Sequence, residues 1–573
     1  MAVTPFQRGE ALDALRRETF DVLVIGGGVT GAGVALDAAS RGLRTALIER
    51  DDFASGTSSK SSKLVHGGLR YLQQGEIGLV YEALAERQRL LKNAPHLVKL
   101  LPFLIPMLGK DGVIPAKISR ILGAAMWGYD LTGGYRIGKL HQHVTKAEAL
   151  AYLPTLPEQL VVSGYLYYDA AADDARLVTT LLRTAAFDHG AVVANRVAAV
   201  GTDHEGGRVS AVDVVATQPD GSTESFRIAA HAVVNAAGVW SDQVRTLDEG
   251  VDPDSIRPAK GIHITIPHRL VQNTIAAVIP VPKDKRSVFV VPAGDFTYVG
   301  TTDTDYDGPL DDPQCTAEDI DYLLRAINFA NVNTITRDDV VGTWAGLRPL
   351  VKTASSGRTA DLSRRHSVRR SAGGVVTITG GKLTTYRRMA SDTVDEVVRH
   401  VLGPAAPASA RRSRTKKLRL RGADGFDSVQ RAASGYPAVP RSAVEHLADR
   451  YGGEARALFG LIQADPTLAE PLVDGLPYLR AEAIFAARYE MAGSVDDVLS
   501  RRTRARLYGR DDAAAAADSV AELIAPELGW SPADAASSAA DFRALCEEER
   551  TAADLPHVSL GDALATTSDA AGH

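Results

Sequence analysis

The chain has 573 residues, 45% of them apolar and 23% charged, which suits a soluble globular protein of roughly three to four domain equivalents. Its net charge of −6 and pI near 6.2 exclude a general nucleic-acid binder, which is ordinarily basic. Two isolated cysteines, Cys315 and Cys546, exclude a disulfide framework or a cysteine metal site and fit a reducing cytoplasm. No metal is expected. The opening MAVTPFQRGEALDAL carries no secretory signal. No segment approaches the ~20 apolar residues of a bilayer span, so a soluble or peripheral protein is expected.

The first elements lie in Asp21–Arg50. A buried strand is expected over Val22–Ile25, then glycines in G-x-G-x-x-G spacing (Gly26, Gly28, Gly31), a helix to about Arg41, and a strand Thr45–Ile48 ending in Glu49. Gly26 permits the tight turn, Gly28 the approach of a pyrophosphate, and Gly31 close helix packing. The helix N-terminus offers unpaired N–H groups to phosphate. Glu49, 23 residues beyond Gly26, can accept from ribose hydroxyls. A glycine turn alone is weak evidence of a nucleotide; the strand, helix and acid together specify one.

A polar stretch, Ser55–Tyr71, precedes a helix around Glu76–Asn93 with Ile77, Val80, Tyr81, Leu84 and Leu91 on one face. Leu97–Leu108 and Ile114–Trp127 read either as core or as an apolar face dipping into lipid, flanked by Lys99, Lys110, Lys117 and Arg120. Short β runs follow from about Gly190 to Asn235, and more strands over 257–305 (HITIP, SVFVVP, FTYVGTTD). AVVNAAG (Ala232–Gly238) reads as a buried strand ending in a small-residue turn. Val375–His400 is a second strand–glycine–helix unit, whose TGGKLTT turn can aim a helix N-terminus at a flavin. Leu402–Arg421 is a basic linker with seven Lys/Arg in Arg411–Arg421, read as a solvated connector. Beyond it the pattern is helical, with Ser494 as N-cap before Val495–Arg506. The last twenty residues read as disordered.

GTSSKSSKLVHGGLRYL (Gly56–Leu72), KGIHITIP (Lys260–Pro267), GTTDTDY (Gly300–Tyr306), GLRPL (Gly346–Leu350) and TGGKLTTYR (Thr379–Arg387), in this order, resemble the FAD-dependent glycerol-3-phosphate dehydrogenases. The resemblance spans about residues 15–400, with a looser likeness in the helical tail. The fold class expected is α/β: a Rossmann-type FAD-binding domain (15–75, 190–255, 350–400), a β-sheet substrate-cap domain (76–189, 256–349) and an all-α C-terminal domain (421–553). The basic linker takes 406–420 and a disordered tail 554–573.

The resemblance implies FAD held by Gly26, Gly28, Thr30 and Gly31; by Glu49 and Arg50; by Thr57, Ser58, Ser59, Ser61, Ser62, Lys63 and Leu64; and by His66, Gly67 and Gly68. Ala237, Gly238 and Trp240, then Gly381, Lys382, Leu383 and Thr384, complete the set. A phosphate monoester calls for guanidinium forks. Arg70, Arg348 and Arg364 are the candidates, with Tyr71 as a hydrogen-bond partner. The match at Arg364 is loose, and Arg358 or Arg365 are alternatives. Thr301, Thr302 and Asp303 are expected near the substrate. Removing a proton from the substrate's C2 hydroxyl calls for a neutral histidine near pH 7. Of His66 and His263, one is the expected base and the other positions substrate; the sequence leaves the choice open.

The partners implied are glycerol 3-phosphate, a membrane quinone, lipid and a second copy of the chain in a homodimer. The location implied is cytoplasmic, on the inner face of the plasma membrane. The alternatives are an O₂-using glycerol-3-phosphate oxidase, an amine or amino-acid oxidase of the same fold class, and a non-catalytic FAD scaffold.

Overall fold

The computed structural model describes residues 5–68, 76–109, 123, 126–130, 138–282, 284, 286–352, 365–431, 436 and 439–565. Its nucleotide sheet has six strands in the spatial order Ser367–Arg370, Val376–Thr379, Val233–Asn235, Val22–Ile25, Thr45–Ile48 and Val192–Ala194. All pairs are parallel except the antiparallel edge strand Ser367–Arg370. VLVI and TALI are buried throughout, as parallel strands covered on both faces must be. The helices Val29–Ser40, Asp174–His189 and Tyr386–Glu396 supply that cover and share one core with the sheet.

A ten-stranded sheet forms the second layer. Ile256–Pro267 lies inside it, antiparallel to both Phe296–Gly300 and Gly342–Val351. This register sets His263 opposite Trp344 on one side and Gly300 on the other, and Ala259 opposite Arg348. Helical residues from Phe426 onward build two cores of their own. One of them includes Phe296 and Val341 of the large sheet, so the helical region docks through apolar packing as well as charge.

Several expectations change. Of the two readings of Leu97–Leu108, core or lipid face, the core reading holds: Val98–Leu108 is an interior strand paired with Val161–Ala172, with Phe103, Leu104 and Met107 buried. Its Lys99 Nζ pairs with Asp449 at 2.9 Å. Lys110, Lys117, Arg120 and most of Ile114–Trp127 lie outside the described residues. The helix Ile77–Asn93 buries Val80 and Leu84 but leaves Ile77 57% and Tyr81 53% exposed. Its buried face instead carries Glu86 and Arg87, which find charged partners in Arg387 and Asp169.

The basic linker is tied down at Ala410, Thr415 and Arg421, while Arg411, Arg412, Arg414, Lys416, Lys417 and Arg419 stay exposed as a solvated connector requires. Arg41 donates to Ala410 O, Thr415 Oγ1 to Asp37, Asn93 Nδ2 to Thr415 O, and Arg421 to Asp188 and Glu454. Ser494 Oγ does accept from Asp497 N at 3.1 Å, but the helical turns end at Arg502. Within the expected disordered tail, Leu560–Leu564 is a helix with Leu560 buried. Residues 566–573 lie outside the described set. No helix among the described residues is long and apolar enough to cross a membrane.

Candidate active site

A cavity of about 660 Å³ lies between the nucleotide sheet and the large sheet. At one end the chain leaves Val22–Ile25 through Gly26 at φ +113°, where a Cβ would sit 2.6 Å from Ala236 O. A Cβ on Gly31 would fall 1.8 Å from Gly26 O, so the helix reaches its place only because that position is bare. Gly28 precedes the helix with no capping side chain, and the Val29 N–H donates to Ser58 Oγ at 2.9 Å. Glu49 accepts from Gly27 N at 2.6 Å and Asp51 N at 3.0 Å. Its carboxyl is nonetheless pushed up to about 7 by burial.

This end presents a helix N-terminus without a side-chain cap of its own, a glycine path for a close approach and a desolvated acceptor in one wall. That donor and acceptor set fits a pyrophosphate and ribose. Val197–Val200 and Leu247 add an apolar wall. Sequence reasoning missed them because nothing in a short β run announces a ligand. Arg50 stacks on Trp240 at 5.1 Å, and both donate to Asp311, at 2.7 and 2.9 Å.

The other end gathers residues from distant segments. His66 stands at the cavity wall: its N–H donates to Thr384 Oγ1 at 3.0 Å, its carbonyl accepts from the same hydroxyl at 3.1 Å, and its ring lies 6.3 Å from Phe289. His263 is 2% exposed and stacked on Trp344, ring centres 4.6 Å apart and 8° from parallel. Its Nε2 lies 3.0 Å from Ser62 Oγ, while Nδ1 has no hydrogen-bond partner among the described residues. Burial first, then the Lys63 and Arg348 charges, hold its proton affinity well below the ordinary histidine range. The imidazole is thereby held in its neutral form.

The Arg348 guanidinium donates to Thr301 Oγ1 at 2.8 Å and Asp303 Oδ1 at 3.3 Å. It lies over Gly261, where a Cβ would meet Nη2 at 2.4 Å. Thr301 lines the cavity beside it. Thr302 is buried, its Oγ1 accepting from Ile262 N.

Of the residues expected at the cofactor, Gly31, Ser59, Lys63, Gly67 and Gly68 do not line the cavity; the others do. Lys63 is buried with Nζ 3.2 Å from Ser59 O, 3.3 Å from Asp174 Oδ1 and 4.7 Å over the Trp344 ring. An ammonium in so apolar a place goes to the nearest carboxylate, and burial lowers it to about 8. The Ser59 hydroxyl closes its own turn onto Gly56 O. Gly67 N donates to Asp169 and Tyr129, which makes it a packing position, as is Gly31. Arg70, Tyr71, Arg358 and Arg364 lie outside the described residues. The alternative Arg365 is 65% exposed and paired with Glu76 at 2.6 Å.

The sequence matches the family "FAD dependent oxidoreductase" over residues 21–387 and "C-terminal domain of alpha-glycerophosphate oxidase" over 413–535. It is 41% identical to glycerol-3-phosphate dehydrogenase 2 of Mycobacterium tuberculosis over 552 residues, 96% of this chain and 92% of that protein. It is 35% identical to the aerobic glycerol-3-phosphate dehydrogenase of Staphylococcus aureus, over 93% of this chain and 95% of that one. The fold resembles the crystal structure of the Bacillus halodurans glycerol-3-phosphate dehydrogenase complexed with FAD, with TM-score 0.75 and 29% identity over 96% of this chain and 98% of that chain. With the cavity's donor set, these likenesses make FAD the cofactor. The chain belongs to the family of FAD-dependent glycerol-3-phosphate dehydrogenases and oxidases.

Proposed function

We propose that this protein oxidises sn-glycerol 3-phosphate to dihydroxyacetone phosphate and passes the electrons to a membrane quinone. The observation that carries the reading is the pairing, in one cavity, of a buried neutral imidazole at His263 with the Arg348 guanidinium. Bound FAD supplies the acceptor for the hydride that leaves C2. The chain's own work is on the proton and the phosphate. His263 takes the C2 hydroxyl proton, while Ser62 Oγ holds Nε2 and Trp344 fixes the ring plane. Arg348, anchored by Thr301 and Asp303, binds a phosphate oxygen pair. Arg70 and Tyr71 are proposed as further phosphate partners. His66, across the cavity wall, orients the substrate.

The substrate comes from the relatives' names. Turnover of the purified protein with an artificial electron acceptor and a panel of phosphate, carboxylate and amine substrates tests it. Glycerol 3-phosphate is expected to dominate, and preference for an amino acid would defeat the reading. Quinone as acceptor is supported by the dehydrogenase names of the relatives. The family name of residues 413–535 supports a second reading, an O₂-using oxidase. Peroxide yield against quinone reduction, with and without liposomes, separates the two. Stoichiometric peroxide without liposome binding would leave only the oxidase.

A further inference from the structure

The cavity loop Ser59–Lys63 is gripped from two sides. On the side of the large sheet, Trp344 Nε1 donates to Ser61 O at 3.1 Å, Tyr298 OH donates to Ser62 O at 3.1 Å, and Ser62 Oγ lies 3.0 Å from His263 Nε2. On the other side stands Asp174, fully buried at the start of its helix. Its Oδ2 accepts from Ser61 N at 3.0 Å and Ser61 Oγ at 2.6 Å, and its Oδ1 accepts from Lys63 Nζ at 3.3 Å. The cation that balances this carboxylate comes from the helical C-terminal region. Arg504, 2% exposed, donates to Asp174, to Asp173 Oδ1 at 2.7 Å and to Ser59 O at 3.4 Å.

A guanidinium fork bonded at once to a buried carboxylate and to a loop carbonyl fixes both in place. Removing it would leave Lys63 Nζ to balance Asp174 and hold the Ser59 carbonyl alone. Lys60, Ser61 and Ser62 of this loop line the cavity, so loop position and cavity shape are one quantity. We propose that Arg504 is a positioning residue: through Asp174 it fixes the Ser59–Lys63 loop on which tight FAD binding and the orientation of His263 depend. The helical region is then a working part of the active site rather than an appendage. The effect on His263 rests on the function proposed above; the effect on FAD binding does not.

A second, partly buried clasp between the same two bodies serves as the control. Glu454 accepts from Arg183 at 2.6 and 3.0 Å and from Arg421 at 3.0 Å, with no bond to the loop. Holoenzymes R504M, R504K, D174N and E454Q are compared by melting temperature, FAD dissociation constant from flavin fluorescence, and kcat and KM at saturating FAD. R504M loses the charge-assisted bonds to Asp174, Asp173 and Ser59 O, so FAD binding is expected to weaken about tenfold or more, and kcat to fall about tenfold with KM within about threefold. D174N is expected to match it, the double variant to be no worse than the poorer single, and R504K to recover part of the loss. E454Q is expected to lower the melting temperature yet leave FAD affinity and kcat within about twofold.

If E454Q and R504M weaken FAD equally at matched loss of melting temperature, Arg504 is a clasp only and the proposal falls. Should R504M fail to fold, R504K and D174N carry the same comparison. An H263N enzyme that keeps full activity would defeat the role given to His263, while FAD loss in R504M would still support the positioning of the loop.

Discussion

The two ends of the cavity are built from different materials. The nucleotide end is backbone: one contiguous strand–turn–helix–strand, with Gly26 and Gly31 bare so that main chain can approach main chain, and one carboxylate, Glu49. The substrate end is side chain: His66, His263 and Arg348 from three distant segments, each set by a partner far from it in sequence. A backbone-built site is intolerant of added atoms and indifferent to most chemistry. A side-chain-built site tolerates its neighbours' shape but not the loss of a functional group. Substitutions should therefore separate cofactor retention from turnover according to which end they strike.

The largest effect is expected at Gly31. Gly31→Ala places a methyl 1.8 Å from a backbone oxygen, which no rotamer relieves. The variant should lose its flavin on gel filtration, and a yellow protein with wild-type absorbance would contradict the role of that contact. At the opposite end Arg348→Ala should keep its flavin and lose kcat/KM for glycerol 3-phosphate by about 4 kcal/mol, near a thousandfold, the worth of two hydrogen bonds to a charged group. Flavin loss there would erase the division between the ends. His263→Asn should lower kcat by about 10²–10⁴ with FAD retained, the usual cost of a missing general base. The same loss from His66→Asn with His263→Asn nearly silent would exchange their roles.

A smaller effect is expected at Glu49, where burial puts the folded carboxyl at about 7 against the ordinary glutamate value of 4.5. The unfolded chain ionises first as pH rises. The FAD-free protein therefore loses stability between about pH 4.5 and 7, by roughly 3 kcal/mol in all, and changes little from this group above that. Glu49→Gln should abolish that slope in melts of FAD-free protein and weaken FAD binding about tenfold through the lost ionic acceptor. An unchanged slope would mean that Glu49 is not the group responsible.

The same contrast explains what could be read from the sequence. The strands Val22–Ile25 and Thr45–Ile48, the glycine spacing and Glu49 are local, and local rules suffice for them. His263 and Arg348 could be chosen by residue type and family likeness, but their company could not. The Trp344 stack depends on strand register, and the place of Lys63 depends on Asp174 lying across from it. Lys63 reads as a flavin contact by its neighbours in sequence and becomes a buried cation in space. The basic run Arg411–Arg421 is legible as a largely exposed stretch, but its anchors are not, since Asp37, which holds Thr415, and Asp188 and Glu454, which hold Arg421, lie on other elements. Leu97–Leu108 is apolar because it is an interior strand, and apolarity alone does not distinguish a sheet from a lipid face.

The most direct measurement is anaerobic mixing of the yellow holoenzyme with sn-glycerol 3-phosphate while its visible flavin band is followed. One equivalent of substrate should bleach one equivalent of flavin in the wild type. Glycerol and amino acids should leave the band unchanged, and Arg348→Ala and His263→Asn, with full flavin, should bleach far more slowly. Equal bleaching by an amino acid, or wild-type rates in both variants, would show that this cavity does not perform glycerol 3-phosphate oxidation with these residues.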